Sequence, residues 1–406
     1  MCFENYLHHK IYDRNIVYFL IVKIYYFHNF ILYPILCKKI FKNIIKQVLN
    51  KRNKRIINDK RICICDIIYL MLVIKKGKYM KVKIQDVAKK AGVSPTTVSR
   101  VLNNRGYISE ETREKVNRAM KELNYVPNDV ARSLFNKRTN LIGLIIPTVS
   151  NPFFGELTFY IETICNSIGY KVLICNSLNN IENEKKYLEM LMRNQVDGII
   201  VGTHNQGILD YKNDNLAVVS IDTYLSENIP IIGSDNYNGG KIATELLLDK
   251  GCRNIINIDG EVNLRTQARL RKIAYEDVMR ASNQLPITYE VMGAFDSKNQ
   301  IEIAKQILNE HPEVDGIFAT NDLFAAAFIN EARKRGRKIP EDIKVVGYDG
   351  TETSRSLLPD LTTIKQPIEL IAKTSIDVLI KEIEGDFSCK KSQIALPVSL
   401  LKGKTT

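Results

Sequence analysis

Residues 84–103 constrain this chain more than any other stretch, because they predict two short helices joined by a sharp turn. The first helix carries apolar residues at i, i+3, i+4 and i+7, which places on one face Ile84, Val87, Ala88 and Ala91. Gly92 can take the left-handed conformation that ends a helix. Ser94 can cap the second helix, and Pro95 suits its first position, where no backbone donor is needed. The stretch therefore predicts a helix-turn-helix unit.

The second helix is predicted to turn Val98, Val101 and Leu102 inward. Hydroxyl, amide and guanidinium groups are left on its outer side, and such groups suit base edges and phosphates. We therefore name as candidate DNA-binding residues Pro95, Thr96, Thr97, Ser99, Arg100 and Asn103. The alternative is an ordinary helical hairpin with a solvated face.

Two more helices are predicted before the composition of the chain changes. Ser109 can cap the third helix, whose first turn carries Glu110 and Glu111, where the helix dipole favours acidic groups. The fourth, residues 130–135, is so short that it should be ordered only when a partner holds it. Basic residues flank it, which suggests that DNA is that partner. Leu134 would then be a wedge between base steps in the minor groove, or alternatively a side chain packed on the three preceding helices.

Charge is distributed unevenly along the chain, whose formal net charge is +13. Residues 1–79 hold 16 Lys and Arg against 4 Asp and Glu, and residues 80–138 hold 13 against 6. Residues 139–406 hold 29 against 35. A basic amino-terminal part ahead of a mildly acidic body is the distribution expected of a nucleic-acid-binding protein.

Residues 1–79 have an unusual composition, with no Ala, Ser or Thr and with Gly77 as their only glycine. A folded domain of that kind is improbable on average amino-acid usage, whereas translation of an A/T-rich intergenic region would give it. The codons of residues 75–78 must form a purine run containing GG, as a ribosome-binding site would. We therefore expect Met80 to be the native start. The alternative is a membrane anchor built on the apolar residues 16–36.

From residue 141 onward, short apolar runs alternate with segments of helical periodicity. Strands are predicted at residues 141–147, 171–175, 198–201, 218–221, 255–258, 316–319 and 344–347. Amphipathic helices lie between them, for example at residues 156–167, 184–194, 240–250 and 323–335. Nearly continuous apolar strands alternating with helices imply parallel sheets covered on both faces. The expected fold is therefore a small all-α head followed by an α/β body.

Ligands in such folds bind beyond the carboxyl ends of the strands, and polar residues stand at those ends. Carboxylate, amide and guanidinium groups can bind hydroxyls, and an aromatic ring can cover the apolar face of a sugar. We name as candidate effector-binding residues Phe153, Phe154, Asp222, Arg271, Asn321 and Asp349. Asp and Asn are also common in loops and helix caps, so each of them taken alone is equally consistent with a structural role.

No cofactor, metal site or catalytic centre is expected. Cys63 and Cys65 are too close for a usual metal pair, and the scattered cysteines fit a reducing cytoplasm. The sequence contains no phosphate loop of the G-x-x-x-x-G-K type and no nucleophile elbow, which argues against an enzyme.

Three segments together resemble the lactose-repressor-type (LacI/GalR family) bacterial transcription regulators: MKVKIQDVAKKAGVSPTTVSRVLN, REKVNRAMKELNYVPNDVARSL and TNLIGLIIPTVSNPFF. The similarity continues through VVGYDG and LTTIKQP and covers Met80 to about Lys402. Within that family, the segments NPFFGEL, LICNS and IDTYLS look most like sucrose-operon repressors.

The resemblance implies a DNA-binding head at residues 80–127, a hinge helix and linker at 128–138, and an effector-binding and dimerisation domain at 139–406. The last is expected to contain two doubly wound parallel-sheet subdomains like those of periplasmic sugar-binding proteins. It also implies a cytoplasmic repressor of a sugar (sucrose) utilisation operon, relieved by a sugar or sugar-phosphate effector. A homodimer or dimer of dimers would bind palindromic operator DNA, and no association with a membrane is expected.

The resemblance also gives roles to single residues. Arg100 matches the arginine of the recognition helix, Pro95 and Thr96 match the two specificity positions, and Leu134 matches the leucine wedge. Phe154 and four polar residues match effector-contacting positions, namely Asp222, Arg271, Asn321 and Asp349. The alternative function is a sugar-binding component of a transport system, against which the head and the missing signal peptide argue.

Overall fold

A computed structural model describes residues 82–127, 138–203, 205, 216–260, 266–293 and 296–406. The described chain forms two compact units: a head of residues 82–101 and 105–125, and a much larger body from residue 126 onward. The predictions for residues 1–79 and for the hinge helix with Leu134 lie outside the described residues. Within the described ranges, no helix is long and apolar enough to span a membrane.

The head consists of three helices, α1 (Ile84–Ala91), α2 (Pro95–Leu102) and α3 (Glu110–Glu122). Gly92 ends α1 with a φ of 70°, in the left-handed region. Ser94 Oγ accepts a hydrogen bond from the N–H of Thr97 at 3.1 Å, and Ser109 Oγ accepts one from the N–H of Thr112 at 3.4 Å. The core is small and consists of Val87, Ala88, Val98, Val101, Val116 and Ala119. The first three predicted helices and their caps are confirmed.

The first subdomain of the body contains a six-stranded parallel sheet with the order β11-β5-β4-β3-β1-β2. Its strands are β1 (Leu141–Ile146), β2 (Lys171–Asn176), β3 (Gly198–Val201), β4 (Ala217–Ile221), β5 (Ile231–Ser234) and β11 (Gln393–Leu396). The helices packed on it are α4 (Pro152–Ser167), α5 (Ile181–Arg193) and α11 (Ile368–Ile383). Both faces of the sheet are therefore covered, which explains why its central strands are almost wholly apolar.

The second subdomain repeats this plan with the order β12-β10-β9-β8-β6-β7. Its strands are β6 (Ile255–Asp259), β7 (Ile287–Glu290), β8 (Gly316–Ala319), β9 (Lys344–Asp349), β10 (Thr362–Lys365) and β12 (Ser399–Leu401). All pairs are parallel except β10 with β12. The helices are α6 (Asn236–Asp249), α7 (Arg269–Ala281), α8 (Ser297–Glu310), α9 (Asp322–Lys334) and α10 (Glu352–Leu357).

The chain passes between the two subdomains three times, at residue 235, at residues 366–367 and at residues 397–398. The seven predicted strands are present, and each end lies within two residues of its prediction. The sequence analysis missed the five strands β5, β7, β10, β11 and β12. The predicted fold class, a helical head with an α/β body of parallel sheets, is confirmed.

Candidate functional site

The carboxyl ends of the strands of both sheets open onto one cleft between the two subdomains of the body. All six candidate residues named from the sequence line this cleft: Phe153, Phe154, Asp222, Arg271, Asn321 and Asp349. The structure therefore brings together residues that are up to 196 positions apart in the chain. Convergent polar groups in a cleft at strand ends are the usual form of a ligand site in this kind of fold.

The aromatic pair lies at the start of α4, directly after β1. Asn151 caps this helix, because its Oδ1 accepts hydrogen bonds from the N–H groups of Phe153 (3.0 Å) and Phe154 (3.3 Å). The two rings meet edge to face with centroids 5.1 Å apart. Both are more than nine-tenths buried and belong to the core of the first subdomain, so only a small part of each faces the cleft.

Asp222 follows β4 with a φ of 53°, in the left-handed region. Its carboxylate lies against Gly233 of β5, where the Cβ of any other residue would overlap Asp222 Oδ1. Asn236 Nδ2 donates a hydrogen bond to Asp222 Oδ1 at 3.0 Å. Burial raises the pKa of Asp222 to about 6, although Arg271 and Asn236 favour the charged form.

Arg271 lies in the first turn of α7 and is buried, with its Nε and Nη1 atoms engaged within the protein. Nε donates to Oδ1 of Asn236 at 2.7 Å, and Nη1 donates to the carbonyl of Thr320 at 2.7 Å. Nη1 also lies 3.7 Å from Oδ1 of Asp349. The Cζ atom lies 3.6 Å from the ring centroid of Tyr348, a cation–π contact. These contacts hold the side chain in one orientation at the floor of the cleft.

Asp349 ends β9 with a φ of 108°, and its carboxylate is buried. Gln366 Nε2 donates to Asp349 Oδ1 at 2.7 Å, while Gln366 Oε1 accepts from the hydroxyl of Ser234 at 2.6 Å. Burial raises the pKa of Asp349 to about 7; Arg271 opposes this shift, and the carboxylate of Asp322 adds to it. Gln366 thus links the ends of strands in both subdomains at the second crossing point.

Asn321 and Asp322 follow β8, and they have different surroundings. Asn321 Oδ1 caps α9 by accepting from the N–H of Phe324 at 2.9 Å, so its Nδ2 is the part that can donate to a ligand. Asp322 is buried and accepts from the N–H of Gly350 at 2.9 Å and from the hydroxyl of Thr363 at 2.6 Å. Asp322 therefore holds the loop after β9 in place.

The sequence analysis missed several residues that line the cleft, namely Asn151, Asn179, Asp259 and Gln366, and it missed Asn236, which is hydrogen-bonded to the lining residues Asp222 and Arg271. Asn151 could have been found from its place before Pro152, where it caps a helix. Asn236 and Gln366 follow strands that the sequence analysis did not predict, so no strand end pointed to them.

The head presents its second helix, α2, with Pro95, Thr96 and Arg100 exposed as predicted. Thr97 is half-buried, because its N–H and hydroxyl both contact the cap Ser94. Two other candidates, Ser99 and Asn103, are less exposed than predicted. Ser99 lies beside the buried Val98, and Asn103 lies inside a turn closed by a hydrogen bond from Arg105 N–H to the Arg100 carbonyl at 3.0 Å.

Comparison with known proteins agrees with both parts of this description. Residues 83–128 match the profile of the bacterial regulatory proteins of the lacI family, and residues 244–406 match that of the periplasmic binding protein-like domain. The chain is 45% identical over 326 residues to a sucrose operon repressor of Pediococcus pentosaceus, covering 80% of this chain and 100% of the relative. It is 42% identical over 301 residues to a ribose operon repressor of Halalkalibacterium halodurans, covering 74% and 90% respectively.

Among solved structures, it is similar to the lac repressor dimer bound to operator and the anti-inducer ONPF. The TM-score is 0.71 and the identity is 31%, with 80% of this chain and 99% of that chain covered. The sucrose operon repressor of Pediococcus pentosaceus is matched over its whole length at 45% identity, so the similarity includes both the head and the body of this protein. The chain therefore belongs to the lacI family of bacterial regulatory proteins.

Proposed function

We propose that this protein is a transcriptional repressor that binds operator DNA through its head and a sugar effector in the cleft of its body. One observation carries the proposal: a helix-turn-helix head with exposed Pro95, Thr96 and Arg100 precedes a body with a polar cleft between two subdomains. The regulated genes would be those of a sugar-utilisation operon, in particular an operon for the use of sucrose. The relative from Pediococcus pentosaceus, which is named a sucrose operon repressor, supports this assignment.

The chemistry of the cleft suits reversible binding of a polyhydroxyl ring. The carboxylates of Asp222 and Asp349 can accept hydrogen bonds from ligand hydroxyls, and the amides of Asn151 and Asn321 can donate to them. Arg271 is already hydrogen-bonded within the protein, so it organises the floor of the cleft. We propose binding without catalysis, because the two carboxylates are both hydrogen-bonded to neighbouring amides rather than paired as an acid and a base.

We propose that two copies of the chain bind a palindromic operator with one head on each half-site. The similarity to the lac repressor dimer on its operator supports this assembly. Residues 80–127 would form the DNA-binding domain, residues 128–138 the hinge, and residues 139–406 the effector-binding and dimerisation domain. A protein that regulates bacterial operons acts where the chromosome is, in the cytoplasm.

The start of the body offers a route for coupling the two sites. Asp197, before β3, accepts hydrogen bonds from the N–H of Thr139 at 2.8 Å through Oδ1 and from that of Asn140 at 2.8 Å through Oδ2. The point at which the hinge would join the body therefore moves with the first subdomain. An effector that contacts both subdomains would change their relative orientation, and a coupling free energy of about 1–3 kcal/mol is enough to switch operator occupancy.

Fluorescence anisotropy tests the proposal. The protein is titrated, with and without sucrose, into a labelled palindromic DNA fragment from the control region of the sugar operon that it is proposed to regulate. The proposal predicts specific binding that sucrose, or another sugar of the operon, changes. Arg100→Ala is the control that should lose specific binding, and Arg271→Ala is the control that should bind DNA without responding. No preference for that fragment over unrelated DNA would contradict the proposal.

A further inference from the structure

We infer that the cleft selects an uncharged, hydroxyl-rich sugar over the phosphorylated form of the same sugar. This inference rests on the proposed function and narrows the class of effector. Among the described residues it is carried by three features of the cleft: the balance of its charges, an unpaired acceptor atom, and the state of the helix N-termini that open onto it.

The first feature is the charge of the cleft lining. Four carboxylates line it among the described residues, those of Asp222, Asp259, Glu290 and Asp349. Three cations line it as well, those of Arg269, Arg271 and Lys272, so the described lining has one carboxyl group more than it has cations. Lys272 is paired, because its Nζ lies 2.9 Å from Glu290 Oε1 and 3.9 Å from Glu276 Oε1.

The other two cations do not reverse this balance. Arg271 is bound to Asn236 and the Thr320 carbonyl and lies beside Asp349. Arg269 is exposed at the start of α7. Burial already raises the pKa of Asp222, Asp259 and Asp349, because the carboxylates lose solvation. At pH 8, where these groups are ionised, a phosphate dianion placed beside them would meet repulsion that a neutral ligand does not meet.

The second feature is a buried acceptor that has no donor. Asn179 lies in the loop after β2, with a φ of 54°, and lines the cleft. Its Oδ1 is buried and has no hydrogen-bond partner among the residues that the structure describes. A buried acceptor without a donor is costly, and a sugar hydroxyl can supply one. The phosphate group of a phosphorylated sugar cannot supply one at that position, because all the oxygens of the dianion are acceptors.

The third feature is that the protein's own acceptors already engage most of the N–H groups at the helix N-termini beside the cleft. Free backbone N–H groups at a helix start are a common phosphate site. In α4 those of Phe153 and Phe154 donate to Asn151, and in α9 that of Phe324 donates to Asn321.

The N-terminus of α7 is closed as well, by carbonyl groups of the preceding turn. Its N–H groups donate from Arg269 to Thr266 at 3.2 Å, from Leu270 to Gln267 at 3.0 Å and from Arg271 to Ala268 at 3.0 Å. The starts of α4 and α7 therefore lack the cluster of free donors that a phosphate group needs, and one N–H group at the start of α9 is also engaged.

Isothermal titration calorimetry with matched pairs tests the inference: sucrose against sucrose 6-phosphate, fructose against fructose 1-phosphate and 6-phosphate, and glucose against glucose 6-phosphate. The unphosphorylated member of the pair that binds should bind at least about tenfold more tightly, as repulsion between like charges at a few ångströms predicts. Tighter binding of a phosphorylated member overturns the inference and leaves the proposed function standing. Absence of binding by every sugar overturns both.

A charge variant tests whether the lining causes the selection. Glu290→Gln removes the nearer partner of Lys272, so the preference for the unphosphorylated sugar should fall about threefold or more, as for other partly exposed charge pairs. Glu313→Gln is the matched control, because Glu313 pairs with His311 and does not line the cleft. A preference that is the same in both variants and the parent overturns the charge argument.

Discussion

The Nε atom of Arg271 donates a hydrogen bond to Oδ1 of Asn236 over 2.7 Å, and both side chains are almost completely buried. Because a guanidinium can only donate, the amide of Asn236 must turn its oxygen towards Arg271 and its NH₂ group towards Asp222. The Asn236 Nδ2 to Asp222 Oδ1 distance is 3.0 Å. One amide at the first crossing point thus connects two cleft residues that belong to different subdomains.

Asn236→Ala should therefore destabilise the body. The substitution removes the hydrogen bonds that Asn236 makes to Arg271 Nε and Asp222 Oδ1, at a cost of about 1–3 kcal/mol in the free energy of unfolding. Urea denaturation followed by circular dichroism measures the change. Asn238→Ala on the same helix is the matched control, because Asn238 is exposed and should cost much less. Equal losses in the two variants would contradict the bridging role of Asn236.

Arg100→Ala should lower the affinity for the specific operator by about 1–3 kcal/mol, the usual worth of a bidentate contact to a base. The reason is that Arg100 is the exposed guanidinium on α2. Lys137→Ala, outside the described residues, should instead weaken binding to all sequences alike and flatten its salt dependence. Competition titrations with specific and unrelated DNA measure both effects. An unchanged ratio of specific to non-specific affinity in Arg100→Ala would show that α2 is not the recognition helix.

Leu134→Ala tests the hinge, which lies outside the described residues and is predicted from the sequence. If Leu134 is an apolar wedge between base steps, its loss should reduce operator affinity sharply, because bending of the DNA and the contacts that follow depend on the wedge. The sugar affinity of the free protein should stay nearly unchanged, since the wedge is predicted to act only on bound DNA. Operator binding equal to that of the parent would refute the wedge.

The contribution of the cleft aspartates to the free energy of unfolding should decrease as the pH rises from 5 to 8. The pKa values of Asp222 and Asp349 are raised from 3.8 to about 6 and about 7 in the folded protein. The folded state therefore keeps protons that the unfolded chain has released. The stabilisation that results is complete below the unfolded pKa and is lost as the pH rises through the folded values.

Asp349→Asn provides the comparison for that pH dependence, because asparagine does not titrate. The variant should lose less stability than the parent between pH 5 and pH 8. Urea unfolding of both proteins at several pH values measures the two slopes. Identical slopes would mean that Asp349 does not hold a proton in the folded state.

The head and the central strands could be predicted because their signals are local. The spacing of Val87, Ala88, Val98 and Val101 gives the helical faces directly, and Ser94 is a cap by its position alone. The candidates Asp222, Asn321 and Asp349 were found because parallel strands end at the same edge of a sheet, so a residue at the end of a strand has a predictable place.

The remaining cleft residues depend on the path of the chain in three dimensions. Asn236 and Gln366 stand at crossing points between subdomains, and nothing in the local pattern of the sequence shows where a chain leaves one sheet for another. The strand β5 has only four residues and contains Gly233, which weakens its strand signal. Ser99 and Asn103 were predicted to be exposed from helical spacing. That spacing carries no information about burial by the turn that follows the helix.

The central claim is that one chain couples operator binding to sugar binding, and reciprocity tests it most directly. Calorimetry would measure the sugar affinity of the protein with and without saturating operator DNA, and anisotropy would measure the operator affinity with and without saturating sugar. Thermodynamic linkage requires the two ratios to be equal, and we expect a factor of roughly 5–150. A sugar that binds the cleft with the same affinity whether or not operator is present would contradict the claim.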